Sequence, residues 1–459
     1  MIHMLLLFPF ACQQEQITSV SEVISAQQVN PLVDEIHDTL MKRALSSDEG
    51  MKQLISLCDD IGHRLSGSAQ LEDAIQWGAS EAKKIGLENI TLQEVMVPNW
   101  KRGNESLELT FPKKQSLPML GLGMSIGTYG TLEGEVLVFS SFEELAKSDE
   151  VTNKIVLFNA PFTTYGKTVR YRSQGADKAA EKGAKAVLVR SISPTSLQSP
   201  HTGGLRYRTD KKIPAAAITL EDADRLSRWF HRGIRPRVKL YMEATQFADA
   251  KSHNVIADIK GSIYPEQVVV IGAHIDSWDV GQGAQDDGAG VVIVLQAARL
   301  IKSLKQRPKR TIRVVLYTNE ENGLRGATKY ADSVPDPQSH FAAIEADIGS
   351  GVPTHFSYQL PKSLNNIDFQ PLQNALQPTV NSLKNLGMGD LQEGYAGADI
   401  GRLVRKGVIG FGLKMNTDGY WPIHHTHADT VDKINPEDLR KNIAAMSIMA
   451  WSLANVEIE

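Results

Sequence analysis

Val268–Ile301, VVVIGAHIDSWDVGQGAQDDGAGVVIVLQAARLI, is the stretch whose reading decides the fold. Its opening residues, Val268–Ala273, form a continuous apolar run of the kind found in strands buried on both faces. Its closing residues, Gly288–Ile301, are apolar at helix length. Between the two lies a polar, glycine-rich segment with His274, Asp276, Asp286 and Asp287. A buried strand that passes through a polar loop into an apolar helix is half of a βαβ unit.

The alternation continues downstream. Thr311–Thr318 (TIRVVLYT) is the next strand, with a short helix after Gly323. Phe341–Ala346 and Val408–Leu413 (VIGFGL) are further strands, and a helix spans Pro436–Leu453. This pattern predicts an α/β fold: a doubly wound, mostly parallel sheet with helices on both faces.

Upstream, residues 30–86 have helical spacing at Leu32, Ile36 and Leu40, then at Met51, Leu54, Ile55 and Cys58. The segment GHRLSGS (62–68) interrupts it, and Ser68 is an N-cap candidate for a helix ending at Gly86. A strand follows at Ile90–Val97. Residues 123–244 form a separate unit, with strands at Glu135–Phe139, Lys154–Phe158, Ala186–Val189 and Ala215–Leu220. Helices are expected at Gly175–Lys182 and from Asp222, and Ser191–Lys212 is a polar loop. Having one histidine, His201, and no cluster of metal ligands, the unit is taken as an inserted, non-catalytic domain. Residues 23–122 and 245–459 make the other domain.

Several function classes fall away on composition. The chain has 459 residues and a net charge of -4 with no basic block, which excludes a nucleic-acid footprint. Two cysteines, Cys12 and Cys58, provide neither a disulfide framework nor a thiolate metal site. No stretch has the 18 or so apolar residues of a transmembrane helix. Residues 1–22 resemble an export signal, because the apolar run Met4–Ala11 (MLLLFPFA) ends just before Cys12. A lipid anchor at Cys12 and a periplasmic, cell-envelope or secreted location are expected. A homodimer is compatible with all of this, although no residue specifies one.

In open α/β sheets, sites form at the carboxyl ends of the strands. VVVIGA runs into His274 and Asp276, and TIRVVLYT leads to Glu320 and Glu321. The strand ending at Ala346 runs into Asp347, and the loop after VIGFGL carries His424, His425 and His427. Imidazoles and carboxylates without thiolates suit zinc or a similar divalent ion. Five good ligand candidates favour two ions, about 3.5–4 Å apart, sharing a carboxylate. Asp286 is the natural bridge, and Asp287 the better helix cap. Asp276 can accept the second ring N–H of His274. Glu320, diverging from Glu321, suits a general base. Tyr420 and Trp421 either line a substrate cleft or anchor an exposed loop.

The motifs GAHIDSWDVGQGAQDDGAG, TNEENG, EADIGSG and HHTHADT resemble those of the co-catalytic zinc exopeptidases, which include leucyl aminopeptidases and glutamate carboxypeptidase. The resemblance covers roughly residues 30–459, with the middle unit similar to a protease-associated domain. It implies two zinc ions, one held by His274 and Asp347 and the other by Glu321 and His425, with Asp286 bridging and Glu320 as base. It also places Gly397-Ala398-Asp399 in the substrate pocket. The implied activity is hydrolysis of dipeptides or short peptides. The rivals are an aminopeptidase of longer peptides, a receptor-like relative without catalysis, and a single-zinc acyltransferase of the glutaminyl cyclase type.

Overall fold

The computed structural model describes residues 31–364 and 369–457, so the signal-like segment with Cys12 lies outside the described residues. Strands assemble into two eight-stranded sheets. In the first, the order is Glu88–Lys101, Thr245–Ile259, Arg310–Tyr317, Tyr264–His274, His340–Glu345, Ile409–Met415, Pro353–Gln359 and Gln392–Glu393. The four central strands are parallel. The flanking strands Thr245–Ile259 and Pro353–Gln359 run antiparallel to them. Antiparallel strands tolerate a solvated face, and the outermost long strand, Glu88–Lys101, does mix exposed residues with buried ones.

Two-residue periodicity explains why both faces are covered. Val269, Ile271 and Ala273 point to one side, where helices Pro31–Leu45, Ala69–Ile85, Ala289–Lys302 and Pro436–Asn455 share one core with them. Val268 and Val270 point to the other, against Ala327, Tyr330 and Ala331 of helix Arg325–Ser333 and Ile400 and Leu403 nearby. Each such aliphatic side chain, fully buried, contributes about 1.5–3 kcal/mol. Among the described residues no helix is long and apolar enough to cross a membrane.

The helix Ala69–Ile85 has the boundaries its sequence encodes. The Ser68 hydroxyl accepts from the Leu71 N–H at 3.1 Å, and Gly86 ends the helix at φ +81°. Ser68→Ala is expected to lower stability by about 1 kcal/mol, read from urea unfolding midpoints. An unshifted midpoint would show that the cap contributes nothing.

The second sheet is entered from the first. The chain leaves at Lys101 and returns at Thr245, which face each other in register. Between them the strand order is Gln115–Leu117, Glu105–Phe111, Arg237–Met242, Leu132–Phe139, Ile155–Phe158, Ala186–Arg190, Ala215–Ile218 and Met119–Gly121. The sheet thus draws on residues ahead of position 123, through three short strands that no change of composition sets apart.

Candidate metal centre

The four parallel central strands bring their carboxyl ends to one edge. His274 is the last residue of its strand, and Glu320 and Glu321 follow their strand after Thr318 and Asn319. Asp347 lies two residues beyond Glu345, and His424 and His425 sit in the loop after Met415. Asp286 lies in the short turn Ala284–Gly288 ahead of helix Ala289–Lys302.

These side chains converge around Asp286. One of its oxygens lies 3.2 Å from His274 Nε2, and the other 3.1 Å from His425 Nε2. Each imidazole then meets a second carboxylate: His274 Nε2 lies 3.3 Å from Asp347, and His425 Nε2 lies 3.1 Å from Glu321. His424 Nε2 is farther from Asp286, at 3.5 Å, and its ring stacks on His425. His427 is exposed and takes no part. Backbone carbonyls fix both tautomers. The Nδ1–H of His274 donates to the Asp276 carbonyl at 3.0 Å, and that of His425 to the Thr202 carbonyl at 3.3 Å. Both Nε2 atoms are thereby aimed at the cluster, where an ion can take the place of a proton.

Asp276 therefore supports His274 through its backbone, its carboxylate being 3.7 Å away. The carboxylate instead accepts the backbone N–H groups of Glu320 and Glu321, at 3.0 and 3.3 Å. Asp287 also has both oxygens engaged, by the N–H groups of His274 and Gly290 at 3.1 Å each. That leaves it as a cap, although its position beside His274 and Asp347 also falls within metal-binding distance.

Other groups hold the frame, and three of them, Asp429, Arg64 and Glu345, have no role that the sequence alone assigns. Asp429 accepts from the backbone N–H groups of Ala284, Gln285 and Asp286. Buried Arg64, from the GHRLSGS break, donates to the carbonyls of Ile275, Gln282 and Gly283. Glu345 accepts from Ala398 and Ile400, each at 2.7 Å, and so pins the loop that carries Asp399. Asp399 is buried, with neither oxygen hydrogen-bonded. Tyr420 is buried and Trp421 half-buried, both packed against His424, so they do not form an exposed anchor. The inserted unit also reaches the cluster, through Arg172, His201 and Thr202. His201 and Thr202 fall in the polar loop Ser191–Lys212, whereas Arg172, in helix Arg170–Glu181, has no sequence signal.

Electrostatics reflect the crowding. Burial, together with the charges of Asp347, Glu321 and Asp276, holds Glu320 well above the usual carboxylate range despite nearby His274. Burial and Asp286 push Glu321 up to about 7. Burial disfavours the His425 cation, but Glu321 and Asp286 outweigh it and raise that group to about 9. So many acids in so little water call for concentrated positive charge. A divalent ion fits that demand: His274 Nε2 and Glu321 Oε1 are buried without hydrogen-bond partners, and every donor is nitrogen or oxygen.

An imidazole–carboxylate cluster of this kind, at the carboxyl edge of a parallel sheet, defines the class as a divalent-metal hydrolase. Comparison with known proteins narrows it. The model of peptidase family M28 matches residues 254–450, and that of the PA domain matches residues 131–226. Carboxypeptidase Q of Mus musculus is 41% identical over 405 residues, covering 87% of this chain and 84% of the mouse chain. Carboxypeptidase Q of Homo sapiens is 40% identical over 416 residues, with 90% and 86% covered. The crystal structure of a peptidase M28 precursor from Shewanella amazonensis superposes with a TM-score of 0.88 at 35% identity, covering 94% of this chain and 98% of that one. The chain belongs to peptidase family M28 and is a zinc exopeptidase.

Proposed function

We propose that the enzyme cleaves dipeptides and short peptides, using two zinc ions that share Asp286. His274 and Asp347 would hold one ion, and Glu321 and His425 the other. The observation that carries this reading is the placement of Asp286, whose two oxygens each face a different imidazole that is itself paired with a further carboxylate. The zinc ions, when bound, supply the charge that acidifies a water and polarises a carbonyl.

Proton handling falls to Glu320. It takes a proton from the attacking water and delivers it to the departing amine. The raised proton affinity of its buried carboxyl suits that shuttle, and the Asp276 carboxylate fixes the backbone from which it projects. Asp399, a buried carboxyl with no partner, suits a substrate's ammonium end. Tyr420 and Trp421 suit an apolar side chain. Similarity to chains named carboxypeptidase supports recognition of the free carboxyl end as well, and a substrate read at both ends is a dipeptide. Export through residues 1–22, with a lipid at Cys12, is the accompanying proposal; the apolar run before Cys12 supports it.

Zinc-loaded enzyme given matched dipeptides with free, acetylated or amidated ends should favour the doubly free form at least about tenfold. Rapid trimming of longer C-amidated peptides would instead favour the aminopeptidase reading. All five ligand candidates are present and gathered, which weighs against a receptor-like relative. One zinc per chain would remove the shared role of Asp286.

A further inference from the structure

His425 sits at φ +62°, a left-handed backbone conformation that a non-glycine residue keeps only when its surroundings enforce it. The enforcing groups come from the inserted unit. The Thr202 N–H donates to the His425 carbonyl at 3.0 Å, and the Thr202 carbonyl accepts from His425 Nδ1–H at 3.3 Å. The His201 ring N–H donates to the His424 carbonyl at 2.7 Å, and the Ser193 hydroxyl donates to the Trp421 carbonyl at 3.3 Å. The Tyr165 ring stacks on Trp421 with centroids 4.9 Å apart.

Arg172 closes this clamp. Its Nη1 lies 3.4 Å from His425 Nδ1 and donates to the Thr202 carbonyl at 3.3 Å, while Nη2 donates to the Tyr165 hydroxyl at 2.9 Å. The guanidinium is buried and forms no ion pair with a carboxylate among the described residues, and its Nε has no hydrogen-bond partner. A buried unpaired cation is costly to the fold. Gly203 leaves room for it, since a Cβ there would lie 2.3 Å from Arg172 Cζ.

Thr202 is itself anchored to the opposite half of the cluster. Its hydroxyl donates to the Gly121 carbonyl at 2.8 Å and accepts from Arg102 at 3.2 Å. Arg102 forms a two-point ion pair with Asp279, at 2.9 and 2.6 Å, in the loop that begins at His274. The clamp therefore runs from one ligand loop to the other through the insert.

We infer that the inserted unit completes the metal centre, with Arg172 and Thr202 as positioning residues that hold His425 for the ion it shares with Glu321. The unit is then a working part of the site rather than an appendage. The inference rests on the two-ion reading given under Proposed function.

Zinc affinities of the full-length protein, measured by chelator competition, test it. Wild type should bind two equivalents, and His425→Ala identifies which of them depends on that ligand. Arg172→Met should weaken that same equivalent about 10–100-fold, the range for losing an outer partner of a metal ligand, and leave the other within twofold. Thr202→Val, a milder change, should act in the same direction on the same equivalent. Both variants keeping both affinities, or losing both equally, would overturn the inference while leaving the two-ion reading intact. A wild-type protein that binds one equivalent would overturn that reading, and this inference with it.

Discussion

Glu320→Gln is expected to retain its full zinc content and to lose about 10²–10⁴-fold in kcat, the usual contribution of a general base. The amide keeps the shape of the side chain but cannot take up a proton. Glu320 pairs with neither imidazole of the cluster, whereas Asp347 pairs with His274 and Glu321 with His425. Metal retention should therefore survive the change. KM should move little, because the lost function belongs to the transition state. Turnover close to wild type in a zinc-replete variant would remove Glu320 from its assigned role.

Asp286→Ala should have the broader effect, emptying both zinc positions together and abolishing activity. Its two oxygens are the one feature common to the His274–Asp347 and His425–Glu321 halves. His274→Ala, by contrast, should weaken the half it belongs to more than the other. The change also leaves buried His274 and His425 with fewer counter-charges, at a site where burial already opposes their charged forms. Elemental analysis after dialysis reads the result. Two retained equivalents would show that Asp286 is not shared.

Much of the frame was legible because it rests on local rules. Ser68 and Gly86 bound their helix through a side-chain cap and a left-handed glycine, and both are visible in sequence. Apolar runs such as Val268–Ala273 mark strands because the sheet is covered on both faces. The placement of His274, of the Glu320–Glu321 pair, of Asp347 and of the histidine loop 424–427 follows from one rule about strand ends; the choice of Glu321 and His425 within their groups is what the family resemblance implies.

Contacts made across the fold left no such trace. Nothing near Asp276 indicates that its carboxylate serves Glu320 and Glu321, forty-four residues on or more, while its carbonyl serves His274. Asp429 stands in the quoted motif HHTHADT, but nothing local shows that its oxygens gather three backbone N–H groups beside Asp286. Thr202 lies in a stretch whose composition suggests only a solvated loop, and Arg172, at the start of helix Arg170–Glu181, carries no local mark of its role. The antiparallel flanks of the sheet depend on which strands become neighbours, and apolar periodicity does not encode that.

The most direct measurement is anomalous diffraction at the zinc edge from zinc-loaded crystals. Two peaks about 3.5–4 Å apart are expected, with a carboxylate oxygen of Asp286 bound at each. A single peak, or two peaks with Asp286 bound to one alone, would contradict the shared-carboxylate centre on which the proposed chemistry depends.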